Sequence, residues 1–138
     1  MTDQSSDSEL PSATRHRLEK LRHALLRLHR VLLDDERAAY ERSHGRISAG
    51  ETLQLLLGHP QFAWLRSISE MVVQVDEMLE AKEPTTQAAA NDLLKQARLL
   101  FPPATMESEF TSKYRDALQR LPELVLTHRD LTAILAGG

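Results

Sequence analysis

The sequence contains no cysteine, and only 4% of its 138 residues are aromatic. The first absence excludes disulfides, thiolate catalysis and cysteine-ligated metal sites, and it is consistent with a reducing compartment. With so few aromatic residues, a core must be built from Leu, Val, Ile, Met and Ala, which favours helices over a β-sandwich. At this length we expect one domain that buries about two-thirds of the surface exposed by its unfolded chain.

Long apolar runs and catalytic motifs are missing as well. No run approaches the roughly 20 apolar residues that cross a bilayer, and the acidic, polar N-terminus is unlike a secretory signal peptide. The sequence has no Gly-rich phosphate loop, no Gly-x-Ser-x-Gly and no His-Glu-x-x-His. We therefore expect a cytoplasmic protein that is not an enzyme, needs no cofactor and has no membrane partner.

The first third of the chain predicts a tail followed by a long helix. Residues 1–12 are polar and acidic, and we expect them to be disordered. From residue 13 to Gly45 there is no other Gly and no Pro, and leucines repeat every three or four residues, which predicts one helix that Gly45 ends. The pair Ser48 and Glu51 has capping-box spacing before a short helix.

The most apolar stretch is predicted to form a central helix over residues 60–82. Its expected inward stripe consists of Leu65, Ile68, Val72, Val75 and Leu79, widened by Trp64, Met71 and Met78 on one side and by Phe62 and Val73 on the other. This apolar arc covers more than half of the circumference, which is too much for a helix that lies on a surface. We therefore expect the other helices to wrap around it.

Two or three further helices are predicted after residue 84. One begins at Thr85 or Thr86 and stops before two prolines, a second covers residues 106–121, and a last apolar segment follows a break at Pro122. Residues 127–130 have the form of a second capping box. The predicted fold is all-α: a single-domain antiparallel bundle of four main helices plus one or two short helices, over residues 13–136.

The first predicted helix carries a strong excess of basic residues. Within residues 15–30 there are nine basic or histidine side chains and one acid, although the whole chain has a net charge of −3. A cationic strip of this kind is typical of contact with an anionic partner or with nucleic acid. The candidate anion-binding residues are Arg15, Arg17, Lys20, Arg22, Arg27 and Arg30.

Four polar residues are predicted to lie where apolar ones are expected. Glu36 falls near the leucine stripe of the first helix, and Asp76 falls beside Leu65 on the central one, with Ser69 one heptad earlier. A carboxylate that points into a core needs a charged or hydrogen-bonded partner, here His29 or Arg22. The set Glu36, Ser69, Asp76 and His29 is either a polar pocket for a ligand or a group of structural pairs.

A carboxylate-bridged metal site is not predicted. Such sites require Glu-x-x-His on two helices, and this chain has one copy, Glu41 to His44, on the solvent side of its helix. The leading hypothesis is a helical interaction or regulatory protein that acts through helix faces and forms a homodimer. A polyanion binder that uses the basic helix, and a ligand- or metal-binding bundle that uses inward carboxylates, are the alternatives.

Overall fold

The computed structural model of the protein describes residues 10–81, 85–101 and 107–137. Over these ranges the chain forms six α-helices and one 3-10 helix, without a β-strand, so the predicted all-α class is confirmed. The helices are α1 (Ser12–His44), α2 (Ala49–Gly58), the 3-10 helix (Pro60–Leu65), α3 (Arg66–Leu79), α4 (Gln87–Leu100), α5 (Glu109–Arg120) and α6 (Pro122–Leu135). No helix in these ranges is long and apolar enough to span a membrane.

The helix ends follow the signals in the sequence. Gly45, with φ of 82°, ends α1 in a backbone conformation that residues with a side chain rarely adopt. The predicted capping box is present before α2: the Glu51 N–H donates to Ser48 Oγ at 3.1 Å, and the Ser48 N–H donates to the Glu51 carboxylate at 3.2 Å. Thr86 caps α4 through the Ala89 N–H, and Pro122 opens α6 after the predicted break.

Two local predictions were wrong. The stretch that begins at Pro60 is not α-helical in its first turns, because the Phe62 N–H bonds to the carbonyl of His59, only three residues back. The second predicted capping box lies inside α6, where the Thr127 hydroxyl donates to the Glu123 carbonyl at 2.9 Å. Pro122 has already started that helix. Most of the predicted N-terminal tail, residue 82 and residues 102–106 lie outside the described ranges.

The organising helix is α1, not the predicted central helix. It packs against α3 on one side and α6 on the other, more extensively than any other pair of described elements. Five of its leucines are at most 1% exposed: Leu18, Leu21, Leu25, Leu28 and Leu32. In α3 the stripe from Ile68 to Val75 is buried, but Val73 is 53% exposed. The apolar arc of α3 is therefore narrower than predicted, and α3 is one layer beside α1.

Both neighbours of α1 run antiparallel to it. Along α3, Arg15 reaches Leu79 while His29 reaches Ser69. Along α6, Arg17 reaches Ile134 while Arg27 approaches Asp130. The arrangement of all main helices as a four-helix antiparallel bundle stays a prediction.

An aromatic cluster fixes α4 and α5 against the 3-10 helix. Phe110 contacts Trp64 and Phe101 at ring-centroid distances of 5.7 and 5.6 Å, and it stacks on Tyr114 at 5.5 Å. The Tyr114 hydroxyl lies 2.8 Å from Nδ1 of His128 on α6. Burial raises the pKa of Tyr114, so this hydroxyl remains protonated at neutral pH. The few aromatic residues are thus concentrated where several helices meet.

Candidate functional site

A line of polar residues on α1 faces α3 and the 3-10 helix. Arg15, Arg22, His29 and Glu36 are spaced by seven residues and so share one side of α1. We call this line and its partners the polar seam. Its bonds are Arg15 Nη2 to the Leu79 carbonyl (3.1 Å), the Arg22–Asp76 ion pair, His29 Nε2 to Ser69 Oγ (2.9 Å), and the Trp64 Nε1–H to the Glu36 carboxylate (2.6 Å).

The structure brings the four buried polar candidates together only in part. Asp76 pairs with Arg22, one of the two partners that the sequence offered for the carboxylates, whereas His29, the other, bonds to Ser69. Glu36 accepts hydrogen bonds from Trp64 and from the Gln61 side chain, partners that the sequence did not reveal. On α1 the partner of Asp76 lies fourteen positions from Glu36, about 21 Å along the axis. Asp76 and Glu36 therefore do not share one pocket.

The seam lacks the groups that nucleophilic catalysis requires. A Ser–His pair needs a third group that orients the imidazole and donors that bind an oxyanion. No carboxylate bonds to His29 in the described part of the chain, and Ser69 lies within α3, where backbone N–H groups bond inside the helix. Burial lowers the pKa of His29 and favours its neutral form. The seam is therefore best explained as a device that fixes the register of α1 against α3.

A small exposed surface, which we call the outer face, covers the solvent side of the seam. Leu26, 40% exposed, lies between Arg22 and His29 along α1, and Val73 lies between Ser69 and Asp76 along α3. Because the two helices are antiparallel, these two side chains lie at the same level. Arg30 and Glu70 are exposed close by, and neither forms an ion pair within the residues described.

The charged side chains at the two ends of the outer face already contact other groups of the chain. Glu19 lies 3.9 Å from His16, and Arg37 lies 3.7 Å from Glu41. Arg66 donates to the Leu57 carbonyl at the end of α2, at 2.8 Å. The middle of this face therefore combines apolar contact area with one free cation and one free anion.

Two arginines of the predicted anion-binding set, Arg15 and Arg17, bind helix ends instead. Arg17 donates to the carbonyls of Ile134 and Leu135 at 2.9 and 3.1 Å, and Arg98 donates to the Leu135 carbonyl at 3.0 Å. Such contacts satisfy the unpaired carbonyls at a helix C-terminus and oppose its partial negative charge. Burial, followed by the repulsion of Arg98, lowers the pKa of Arg17. Arg15 likewise donates to the carbonyl of Leu79, the last residue of α3.

The predicted cationic strip is thus narrower than the sequence indicated. Arg15, Arg17 and Arg22 hold neighbouring helices, and Arg27 lies 3.7 Å from Asp130. Lys20 and Arg30 are exposed and have no hydrogen-bond or ion-pair partner in the described ranges. The free positive charge is therefore small, and it lies on two different sides of α1.

An open groove, the α1/α6 groove, separates the N-terminal half of α1 from the end of α6. One hollow of about 350 Å³ has Ala24, Thr127 and Ile134 in its lining and is bordered by His16, Glu19, Lys20, His23, Arg27 and Asp130. A second hollow of about 330 Å³ shares His16, Lys20 and Ile134 with the first and extends to Ala13 and Ala133. Because the two hollows share three lining residues, they lie next to each other along α1, and we refer to them together as the trough.

No metal site is recognisable in the ranges that the structure describes, since no group of three or more His, Asp or Glu side chains there is placed so that it could hold a metal ion. The Glu41 carboxylate accepts from the Ile47 N–H at 2.9 Å, and the His44 ring stacks on Tyr40 with a centroid distance of 3.9 Å. Both groups of the single Glu-x-x-His are therefore used in local structure at the end of α1.

Comparisons of the chain with protein-family models, with curated proteins and with solved structures give no significant match. The function must therefore be inferred from the surfaces of α1 and their chemistry.

Proposed function

We propose that this protein is a small, non-enzymatic interaction protein of the cytoplasm, built as an antiparallel four-helix bundle, and that its outer face joins two copies into a homodimer. The observation that carries the proposal is the self-complementary composition of this face. Its α1 side offers Leu26 and the free cation Arg30, and its α3 side offers Val73 and the free anion Glu70. The lack of cysteine supports the compartment.

Two-fold symmetry makes these features complementary. In a two-fold dimer each contact occurs twice, with residue i of one copy facing residue j of the other and the reverse. If the two-fold axis runs parallel to the helices, α1 of one copy packs on α3 of the second copy. Residues at the same height along the axis then face each other. Leu26 then meets Val73 of the second copy, and Arg30 meets Glu70 of the second copy. An apolar centre with charges at its edge is the usual composition of a protein interface.

The polyanion-binding alternative has less support. Arg15, Arg17 and Arg22 of the predicted strip are engaged within the chain. Affinity for nucleic acid depends on the number of phosphates that the protein neutralises. Because these arginines already bind groups of neighbouring helices, few cations of α1 are available to contact phosphates.

The first test is the oligomeric state of the Leu26→Asp variant, measured by sedimentation equilibrium. We expect wild-type protein to dimerise and the variant to dissociate at least tenfold more readily, because symmetry places two new carboxylates in the apolar centre. The matched control is Leu99→Asp, since Leu99 is 60% exposed on α4 and lies outside the outer face. A monomeric wild type, or equal dissociation of both variants, would contradict the proposal.

The second test exchanges the charges. We expect Arg30→Glu and Glu70→Arg to weaken the dimer by about fivefold each, because each creates two like-charged contacts at an exposed interface edge. The double variant should regain wild-type dimerisation, since both copies then carry the reversed pair. A double variant that is as weak as the single ones would exclude this pairing.

A further inference from the structure

We infer that acidification dissociates the proposed homodimer, because the second copy covers the hydrogen bond between His29 and Ser69. The inference rests on the proposed function and adds a mode of regulation to the same surface. Histidine is the side chain that ordinarily changes its charge between pH 5 and 8. A histidine that becomes more buried when two proteins associate therefore makes their association depend on pH.

The His29–Ser69 bond lies beneath the middle of the outer face. His29 follows Leu26 by three residues on α1, and Ser69 precedes Val73 by four on α3, so the bond is about one helical turn from these two apolar side chains. Nε2 of His29 is 2.9 Å from Ser69 Oγ, and both residues are only half-buried. In a single chain the imidazole thus retains contact with water, and a second copy on the outer face removes it.

The charges nearest to His29 compensate each other in the dimer. Within its own chain, Arg30 follows His29 on α1, and Glu70 follows Ser69 on α3. The proposed pairing supplies each of these two residues with its opposite charge from the second copy. The imidazole therefore gains one cation and one anion as neighbours when the dimer forms, and their effects on its charge oppose each other.

The more distant charges of the polar seam are engaged within the chain. Seven positions before the imidazole on α1, Arg22 pairs with Asp76 of α3. Seven positions after it, the Glu36 carboxylate accepts two hydrogen bonds from the 3-10 helix. On α3, Arg66 donates to a carbonyl of α2. These groups keep their partners in the proposed dimer, so they do not favour a charged imidazole more in the dimer than in the single chain.

Burial therefore decides the sign of the pH effect. It already lowers the pKa of His29 within one chain, because a charged imidazole is less stable when it is removed from water. The second copy extends this burial, so the pKa in the dimer lies below the pKa in the monomer. Between these two values the monomer binds a proton that the dimer does not, and acidification favours the monomer. Because each dimer contains His29 twice, the effect is doubled.

A second histidine acts in the opposite direction, but weakly. His23 precedes Leu26 by three residues and Glu77 follows Val73 by four, so the proposed dimer places His23 of one copy at the height of Glu77 of the other. Protonation of His23 would strengthen that contact. Both residues are exposed, however, and water screens an exposed ion pair. The burial of His29 therefore outweighs this contact.

The test is sedimentation equilibrium of the full chain at pH 7.5 and pH 5.5, in wild type, His29→Gln and His23→Gln. We expect the dissociation constant of the wild-type dimer to rise by about fivefold at the lower pH. His29→Gln keeps a polar group beside Ser69 but does not titrate, so its dissociation constant should be the same at both pH values. His23→Gln is the matched control at an exposed position of α1, and its dissociation constant should rise at least as much as that of wild type.

The outcomes separate this inference from the proposed dimer. Wild-type protein that is monomeric at pH 7.5 would contradict both. A dimer with one dissociation constant at both pH values, or an equal rise in wild type and His29→Gln, would overturn the pH inference alone. A dimer that tightens at pH 5.5 and loses this response in His23→Gln would overturn it as well. Circular dichroism at each pH checks that the chain stays helical, and dissociation that accompanies a loss of helix would assign the response to unfolding and contradict the inference.

Discussion

The two long interfaces of α1 are built differently. Against α3, polar residues at heptad spacing each have a specific partner, from Arg15 at one end to Glu36 at the other. Against α6, the apolar packing is equally extensive, but the polar contacts are only an arginine on the final carbonyls and a loose ion pair between Arg27 and Asp130, with an open trough beside them. One interface specifies its register with side-chain bonds, and the other leaves surface uncovered.

This difference indicates which neighbour of α1 depends more on specific side-chain bonds. A shift of α3 by one turn along α1 would break every bond of the polar seam, and one buried unpaired group alone costs about 1–3 kcal/mol. The α6 side has few such bonds between the ends of its interface, and small residues such as Ala24 and Thr127 leave it concave. We therefore expect side-chain bonds to matter more for the packing of α3 on α1 than for the packing of α6 on α1.

The largest effect is expected for Glu36→Ala in the seam. Trp64 is 6% exposed, and its indole N–H donates to the Glu36 carboxylate at 2.6 Å. Loss of a charged acceptor leaves that donor unpaired, so we expect the free energy of unfolding to fall by about 2–3 kcal/mol, measured by urea denaturation. Glu19→Ala, an exposed change on the same helix, should alter it by less than about 0.5 kcal/mol. Equal effects of the two changes would contradict the importance of the seam.

A smaller loss is expected where α6 ends on α1. Arg17→Met keeps the aliphatic stem but removes the donors to Ile134 and Leu135. Because Arg98 still donates to Leu135, we expect a loss of about 1 kcal/mol in the free energy of unfolding. Arg129→Met, at an exposed position of α6, is the control. If Arg17→Met lowers the free energy of unfolding as much as Glu36→Ala does, both interfaces of α1 depend equally on side-chain bonds. The proposed difference between the α3 side and the α6 side would then be wrong.

The stability of the seam is expected to depend on pH through His29. Burial lowers the pKa of His29 in the folded state below its value of about 6.5 in the unfolded chain. Below that value the unfolded state binds the proton first, so the free energy of unfolding falls with decreasing pH until the folded-state pKa is reached. One proton limits the slope to about 1.4 kcal/mol per pH unit.

The measurement compares urea denaturation at pH 7.5 and pH 5.5 in wild type, His29→Gln and His23→Gln. We expect His29→Gln to lose less stability on acidification than wild type does. His23→Gln, which changes an exposed histidine two turns earlier, should follow wild type. An identical pH dependence of all three proteins would show that His29 is not the titrating group.

The sequence predicts the parts of this molecule that depend on local chemistry. Gly45, Ser48 and Pro122 set helix ends because their effects act within one turn. It also suggests Arg22 as a partner for Asp76, because a carboxylate near the apolar face of a helix needs a charged or hydrogen-bonded partner. It does not reveal the bond between His29 and Ser69. It does not reveal the bond between Trp64 and Glu36, which depends on how the 3-10 helix meets α1.

The arginines of α1 illustrate the same limit. In the sequence Arg15 and Arg17 belong to a cationic strip, because nothing local indicates where other helices end in space. In the structure each lies at the C-terminus of a distant helix, more than sixty residues away along the chain. The predicted burial of the stripe from Leu65 to Val75 is confirmed, but α1 occupies the central position, for a related reason. The apolar content of a helix shows how much apolar surface it can bury. It does not show which helices pack against each other, and it is this packing that places α1 between α3 and α6.

The smallest effect is expected for Asp76→Leu, although Asp76 belongs to the same seam as Glu36. Arg22 and Asp76 are 44% and 32% exposed, so water screens their ion pair and solvates either partner when the other is removed. We expect the free energy of unfolding to change by less than about 0.5 kcal/mol, with Arg22→Leu and the double variant measured alongside to give the coupling energy. A coupling above about 2 kcal/mol would mean that the pair is a buried bond like that of Glu36. A value near zero means that the seam derives its strength from its buried end at Trp64, and that the Arg22 end can be altered freely when the outer face beside Leu26 is tested.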